Sequence, residues 1–432
     1  MKKIALTLAS VMAAAVFAPE ASALPAFARQ TGMACSACHQ THFPILNGFG
    51  RAFKASGYTM MGAQGKIESD HLSLPETMNS AILLKYRAQH ATRDTFVVGQ
   101  GVTSAVGNAS DWQHQMGDEF SFFMGGRIAD DGNLSIGFLN ENNLAARNAM
   151  PLVAGLRVPV NYDFGVAKVT VVPFSTDALG AAYGFELSSG GVMRANRWAE
   201  HRRETSAIQY SADRGAGGGN AAGMAFVVQN DMGYVNYTKW SSSFFPGAGG
   251  GDVPSTNFGQ TYLRVAATPT VANWEIVAGF GIESGNSYAN LGGGQVEANQ
   301  TFFDFQAHGE VAGMMTGVYL QNAVAPKCAA NIASGNCEHN TGSVDRKATT
   351  IGAEFQVVPH ALNVGLAYRL AENGSVDANN AAKTDNAITL TALYDLVQNV
   401  ALVANFSQYS GTAYAGEKGS QQLTTLMLEA AW

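Results

Sequence analysis

After about residue 78 the chain alternates between apolar residues and residues that are polar or very small. Residues 351–357 (IGAEFQV) and 362–370 (LNVGLAYRL) both follow this pattern, and the short stretch 358–361 separates them. A period of two residues is that of a β-strand whose two faces meet different surroundings. Because the pattern recurs as far as residue 432, the sequence predicts an all-β protein.

The connections between the predicted strands alternate in length. Short turns fall near residues 230–231, 268–272, 309–312, 358–361 and 395–399, and long polar loops near 241–259, 283–300, 322–346, 371–386 and 408–420. Long loops at one end and short turns at the other are typical of outer-membrane β-barrels. A soluble β-sandwich, which is the alternative, gives no reason for this asymmetry. We therefore predict a transmembrane outer-membrane β-barrel over residues 78–432.

The alternation also predicts the number of strands. Five runs precede residue 174 and eleven follow residue 221, which gives about 16 strands. Residues 183–187 and 206–212 could add a hairpin and raise the number to about 18. Both numbers are even, so both ends of the barrel fall on the periplasmic side. The last strand ends on Trp432, which resembles the terminal aromatic residue of bacterial outer-membrane proteins.

Composition agrees with this prediction. Of the 432 residues only 14% are charged, while glycine is abundant at 48 and proline scarce at 12. No apolar run after the N-terminus reaches the roughly 18 residues of a transmembrane helix. The net charge is −7 without a concentrated basic region, which argues against nucleic acid as a partner.

The N-terminus has the pattern of an export signal. Lys2 and Lys3 precede the apolar stretch 4–17, and Ala21-Ser22-Ala23 forms a cleavage site. Residues 1–23 are therefore predicted to be a signal peptide, and the mature chain enters an oxidising compartment.

Residues 24–77 lack the alternation and contain the motif Cys35-Ser36-Ala37-Cys38-His39. C-x-x-C-H is the attachment pattern of haem c, in which Cys35 and Cys38 form thioethers and His39 is the proximal iron ligand. The alternative is a redox or structural C-x-x-C followed by an incidental histidine. About fifty residues are too few for an independent core. We predict a monohaem plug that folds on its cofactor and on the barrel wall.

The sixth iron ligand stays open at this point. Met60 is the first candidate, with Met61 or His71 as alternatives, and Met78 lies farther along the chain. A site that is open or bound by water is also compatible with the sequence. Phe27, Phe43, Phe49 and Phe53 are expected to pack around the porphyrin.

The two remaining cysteines, Cys328 and Cys337, lie in a polar stretch rich in Asn and Ala. In an exported protein they predict a disulfide that closes one loop. The alternative is a metal site that includes His339, although the spacing is unusual for zinc.

Residues 25–39 (PAFARQTGMACSACH) and 42–58 (HFPILNGFGRAFKASGY), followed by the predicted barrel, resemble the fused monohaem cytochrome–porins of the bacterial outer membrane. The similarity of motifs is confined to about residues 25–58. The best-known members are iron oxidases. The resemblance implies one haem c in a porin lumen, which takes electrons from extracellular Fe(II) or another donor and passes them to a periplasmic c-type cytochrome.

Three functions follow as expectations. The first is Fe(II) oxidation by a c-type cytochrome integral to the outer membrane, with the haem segment entering the lumen from the periplasm and no catalytic side chain beyond the haem. The second is a haem-bearing porin for solute passage or redox sensing. The third is outward electron transfer to extracellular acceptors.

Overall fold

The structure is a computed structural model. It describes residues 25–62, 64–91, 112–143, 155–176, 179–188, 206–211, 220–242, 257–288, 294–332, 336–417 and 420–432. The predicted signal peptide, residues 1–23, lies outside these ranges. Among the described residues, no helix has the length and apolar character needed to span a membrane.

The N-terminal part of the described chain contains two short helices and a small hairpin. These are α1 (Pro25–Thr31), α2 (Gly48–Ala55), β1 (Lys66–Ser69) and β2 (Leu72–Pro75). Helix α2 begins after Asn47, whose side chain accepts a hydrogen bond from the Gly50 amide at 2.9 Å. This is the ordinary way to satisfy a free amide at a helix start. Residues 25–62 are called the N-terminal segment below.

The rest of the described chain forms a closed antiparallel barrel of twenty strand segments, β3 to β22. In four places two consecutive segments pair with the same neighbouring strand and together cross the barrel wall once. These pairs of segments are β6 with β7, β11 with β12, β14 with β15, and β19 with β20, so the barrel has 16 crossings. This confirms the number predicted from the alternation. The segments are β3 (Ser80–Ala91), β4 (Gln113–Asp131), β5 (Leu134–Asn143), β6 (Gly155–Arg157), β7 (Val160–Asp163), β8 (Lys168–Thr176), β9 (Ala221–Asn230), β10 (Gly233–Ser241), β11 (Gln260–Ala267), β12 (Thr270–Val271), β13 (Trp274–Tyr288), β14 (Gln295–Glu297), β15 (Gln300–Val311), β16 (Met314–Ala325), β17 (Arg346–Val358), β18 (Leu362–Val376), β19 (Ala382–Thr384), β20 (Asn386–Val397), β21 (Val400–Ser410) and β22 (Ser420–Ala431).

Strands β22 and β3 close the barrel in an antiparallel register that runs from Leu423↔Ala91 to Ala431↔Leu83. The Ala431 amide also donates to the Asn399 carbonyl at 2.9 Å, in the short turn between β20 and β21. The chain therefore enters and leaves the barrel at the end that carries the short turns.

The faces of the strands are inverted relative to a soluble protein. On β18, Leu366 is 51% exposed on the outer face, while Arg369 on the inner face is 1% exposed. On β17, Ile351 points outward and Glu354 is buried inside. An apolar outer band around a polar interior is the arrangement of an outer-membrane barrel, and it rules out a soluble sandwich with an apolar core.

The lumen contains two further pieces of chain, residues 179–188 and 206–211, which are called the inner-loop segments. The possible extra hairpin in this region is wrong: residues 181–183 form a 3-10 turn, and Ala207–Ser211 form the short helix α3. Strand β8 pairs directly with β9, so no strand edge is open to a hairpin. The buried side chains bind the inner wall instead; for example, the Tyr210 hydroxyl donates to Asp385 Oδ2 at 2.7 Å.

The N-terminal segment lies against inward-facing residues near the short turns. Glu275 accepts hydrogen bonds from the Gly48 amide at 2.6 Å and from Arg51 Nη2 at 3.1 Å. Farther round the wall, the side-chain amide of Asn161 donates to the Ser56 carbonyl at 2.8 Å. The segment and the inner-loop segments therefore form two layers at different heights in the barrel.

Candidate functional site

The C-x-x-C-H motif forms a tight turn that the following residues hold in place. The amides of Cys38 and His39 both donate to the Cys35 carbonyl, at 3.1 and 3.0 Å. The Asn47 amide donates to the Cys38 carbonyl at 3.0 Å. A Cβ atom at Gly50 would lie 2.1 Å from that same carbonyl oxygen, so helix α2 can pack on the motif only because position 50 is glycine.

The imidazole of His39 is oriented by a backbone contact. Its Nδ1 lies 3.1 Å from the Ile45 carbonyl oxygen. Because a carbonyl only accepts, Nδ1 carries the hydrogen and Nε2 keeps its lone pair, as in most histidines that bind metals. Burial lowers the pKa of His39 to about 4, the Ile45 contact opposes the shift, and His42 adds to it. The ring is therefore neutral at neutral pH, which is the form that binds iron.

A large cavity lies between the N-terminal segment and the barrel wall. The space between its walls, counted together with the solvent at its open mouth, is about 1360 Å³. Cys35, Cys38 and His39 all line it. The apolar lining includes Phe27, Phe43, Leu46, Phe53, Phe123 and Leu139, and the polar lining includes Lys54, Tyr58, Glu141, Arg157, Tyr183 and Glu186. A cavity that is mostly apolar with a few polar groups is typical of cofactor sites.

The residues of this cavity fit a covalently attached haem c. Cys35 and Cys38 keep their thiols, since the disulfide of the described chain joins Cys328 and Cys337. Burial, with a smaller contribution from Cys35, raises the pKa of the Cys38 thiol. Two thiols and a neutral imidazole with an accessible Nε2 are the donors that haem c requires, and they share one apolar space.

None of the four candidates for the sixth ligand, Met60, Met61, His71 and Met78, lines the cavity. Met60 packs beside the cavity with Phe53, Tyr58 and Leu139, one layer behind its wall. Met61 does not line the cavity, and His71 is exposed in the turn between β1 and β2. The assignment of Met60, with Met61 or His71 as alternatives, stays a prediction.

Three of the four expected phenylalanines line the cavity, namely Phe27, Phe43 and Phe53. Phe49 does not, and it is 39% exposed in the first turn of α2. Phe27 instead stacks on Tyr58, with ring centroids 5.0 Å apart. Tyr58 is therefore an aromatic residue of the site that sequence reasoning missed.

The barrel side of the cavity was also missed. Arg157 at the end of β6 and Tyr183 and Glu186 in the inner-loop segments all line it. Arg157 is one of many polar residues at inward strand positions, and Tyr183 and Glu186 lie in a segment without a motif, so no local signal distinguishes these three. Burial raises the pKa of Glu186, but the charge of Arg264 and the hydrogen bond from Tyr234 outweigh it and leave the pKa below its usual value.

Cys328 and Cys337 lie away from this cavity, in the connection between β16 and β17. They are joined in a disulfide, with their Cα atoms 6.0 Å apart. His339, the candidate third ligand of a metal site, instead forms a hydrogen bond to Glu283. Within the described ranges, no group of three or more His, Cys, Asp or Glu side chains is arranged to hold a metal ion.

No protein-family model matches this chain. No curated protein matches it either. Among solved structures, it is similar to in-vitro folded OmpT, an outer membrane protein of Vibrio cholerae, at 14% identity over 85% of this chain and 99% of that chain, with a TM-score of 0.48. It is also similar to an anion-selective porin from Comamonas acidovorans, at 14% identity over 82% and 99% of the two chains, with a TM-score of 0.47. The outer membrane channel DcaP of Acinetobacter baumannii gives 10% identity over 82% and 97%, with a TM-score of 0.46. At these identities and TM-scores, none of the three says what this chain does.

Proposed function

We propose that the protein is an outer-membrane electron-transfer protein with one covalent haem c in the cavity. Cys35 and Cys38 would bind the two vinyl groups, and Nε2 of His39 would be the proximal iron ligand. The observation that carries the proposal is that all three side chains face the same large cavity inside a barrel. When bound, haem supplies reversible one-electron transfer between its ferrous and ferric states.

The chain's own residues determine where this chemistry takes place. The N-terminal segment holds the motif inside the lumen through Glu275 and Asn161. The inner-loop segments cover the cavity from the other side through Tyr183 and Glu186. Phe27 and Phe53 exclude water from its apolar part. A redox centre in this position lies between the two mouths of the barrel, which a centre on the periplasmic surface would not.

The electron donor is proposed from the resemblance of residues 25–58 to cytochrome–porins that oxidise iron. Extracellular Fe(II) would lose one electron and leave as Fe(III), and a periplasmic c-type cytochrome would take the electron up. No acid–base residue is needed, because no proton is transferred to or from iron in this step.

The test is anaerobic mixing of the purified, haem-loaded protein with Fe(II) at neutral pH, followed through the absorption band of the reduced haem. We expect rapid reduction in the wild type and a much smaller amount of reduced haem in the Cys35→Ala variant, in which one of the two thioether bonds cannot form. A wild-type chain that carries no covalent haem would overturn the whole proposal. Haem that dithionite reduces and Fe(II) does not would leave the cytochrome and overturn the donor, in favour of outward electron transfer.

Solute passage is the second candidate, because the barrel has the architecture of a porin. A barrel of 16 strands is wide enough for an aqueous bore, although both layers of chain described above occupy the lumen. Conductance of single molecules in a planar bilayer separates the two functions. Large, steady channel openings by the wild-type protein would favour the porin, whereas we expect small or no openings.

A further inference from the structure

One cation of the cavity, Arg157, is held in a fixed orientation by two aromatic rings. The centre of its guanidinium group lies 4.5 Å from the ring centroid of Tyr183 and 5.4 Å from that of Tyr58. Its Nη1 donates to the Tyr183 carbonyl at 3.0 Å. The two tyrosines come from different layers of the lumen, so the plane of the guanidinium group is set before any ligand binds.

Arg157 belongs to no ion pair in the described part of the chain, although the carboxylates of Glu141 and Glu186 line the same cavity. The Nε of Arg157 is buried and has no hydrogen-bond partner. The side chain as a whole is only partly buried, but a buried donor atom without a partner still costs free energy.

Two fully buried arginines of the lumen, Arg264 and Arg369, are held in ion pairs. Arg264 binds Glu186 at 3.1 Å and Asp304 at 2.5 Å. Arg369 binds Asp385 at 3.0 Å. Arg264 therefore already pairs with Glu186, which is one of the carboxylates on the cavity wall. Arg157 is left as a preorganised cation that faces empty space.

We propose that Arg157 binds a propionate carboxylate of the haem, and through this contact raises the reduction potential. This inference rests on the function proposed above. Haem carries its vinyl groups and its propionates on different halves of the ring. A haem attached to the N-terminal segment through Cys35 and Cys38 therefore presents its carboxylates to another part of the cavity, and Arg157 is a barrel-wall cation that lines it. The guanidinium fork matches a carboxylate with two parallel hydrogen bonds.

A fixed positive charge near the iron favours the ferrous state over the ferric state, because the ferric haem carries one more positive charge. Removal of this charge should lower the potential. The test compares Arg157→Met, which removes the charge, with Arg157→Lys, which keeps it. Both variants lose the planar guanidinium group, so a role in stacking alone would affect them equally. Arg127→Gln is the matched control, since this arginine contacts Ser73 and does not line the cavity.

The measurement is a spectroscopic redox titration of protein whose covalent haem per chain has first been determined. At a fixed ambient potential we expect the ferrous-to-ferric ratio to fall about tenfold in Arg157→Met, which is 59 mV for a one-electron couple. Arg157→Lys should keep most of the wild-type potential, and Arg127→Gln all of it. Loss of haem from Arg157→Met but not from Arg157→Lys would support the same contact.

Two results separate failure of this inference from failure of the proposed function. If the wild type has covalent haem and Arg157→Met keeps the wild-type potential, the propionate contact is wrong and the cytochrome stands. Equal shifts, or equal loss of haem, in Arg157→Met and Arg157→Lys would also overturn the contact and leave Arg157 a structural residue. A wild-type protein without covalent haem would overturn the function itself.

Discussion

The two layers of chain inside the barrel are packed in different ways. The N-terminal segment leaves a large, mostly apolar cavity whose wall contains two thiols and an imidazole. The space between the inner-loop segments and the barrel wall is filled with buried aromatic and charged side chains, among which Tyr210 of α3 and Arg369 of β18 are each 1% exposed. A mostly apolar cavity with a few polar groups has the character of a cofactor site, whereas a filled layer has no room for a ligand.

The charges of the two layers differ in the same way. Around the inner-loop segments, Asp385 accepts hydrogen bonds from Tyr210 at 2.7 Å and Tyr414 at 2.8 Å and pairs with Arg369 at 3.0 Å. Around the cavity, Arg157 has no carboxylate partner in the described residues. Because the Nε of Arg369 also lacks a hydrogen-bond partner among these residues, the two arginines differ in that Arg369 is neutralised by a carboxylate and Arg157 is not.

The largest expected effect comes from removal of both thiols of the cavity. The double variant Cys35→Ser with Cys38→Ser should lose all covalent haem, because both thioether bonds are gone. The barrel should still fold, since its strand pairing and its inner-loop segments do not depend on these residues. Haem staining of denatured protein on a gel measures the first result, and heat-dependent migration of the barrel measures the second.

The other pair of cysteines supplies the control for this prediction. Cys328→Ser with Cys337→Ser removes a disulfide that lies away from the cavity, so covalent haem should remain at the wild-type level. If this control lost its haem and the first variant kept it, the assignment of the two pairs would have to be exchanged.

A smaller effect is expected when the filled layer is broken. Arg264→Met leaves Glu186 and Asp304 buried without their shared cation, and breaking a buried ion pair on one side costs about 3–5 kcal/mol. The free energy of unfolding in urea, measured in lipid vesicles, should fall by this amount. The matched control is Lys347→Met, which removes an exposed cation 3.7 Å from Glu372. Exposed pairs contribute about 0.2–1 kcal/mol, so equal losses in the two variants would contradict the distinction between them.

The number of strands could be predicted because side chains on a strand point alternately into the lumen and outward, which gives each strand a period of two in the sequence. The one ambiguous stretch, residues 174–221, shows where this signal ends. A few alternating residues look the same whether they pair with a neighbouring strand or pack against the inner wall. Only the pairing of β8 with β9 decides between the two, and that contact joins residues far apart in sequence.

The residues of the candidate site also fall into two groups, those that a local pattern identifies and those that only the fold brings together. Cys35, Cys38 and His39 form a local motif, so the sequence identified them without any knowledge of the fold. Arg157 and Tyr183 come from distant parts of the chain and carry no motif, and the closed barrel alone brings them to the cavity. The sixth ligand belongs with these non-local features, because which side chain reaches the far face of a haem depends on tertiary packing and not on spacing.

The smallest expected effect concerns the contact that holds the cavity-forming layer to the wall. Glu275→Gln keeps the size of the side chain and removes the charge that meets the Gly48 amide and Arg51. Hydrogen bonds to charged groups contribute about 1.5–3 kcal/mol and neutral ones about 1 kcal/mol, so the N-terminal segment should lose roughly 1 kcal/mol of docking free energy. This corresponds to about a fivefold rise in the rate at which a protease cleaves the segment, since 1 kcal/mol changes an equilibrium by that factor. Glu310→Gln, at an exposed strand end, is the control and should leave the rate unchanged. Cleavage at the wild-type rate in Glu275→Gln would mean that the segment is held by its packing and by its other hydrogen bonds, such as that from Asn161, and that the charge of Glu275 has no part in forming the cavity.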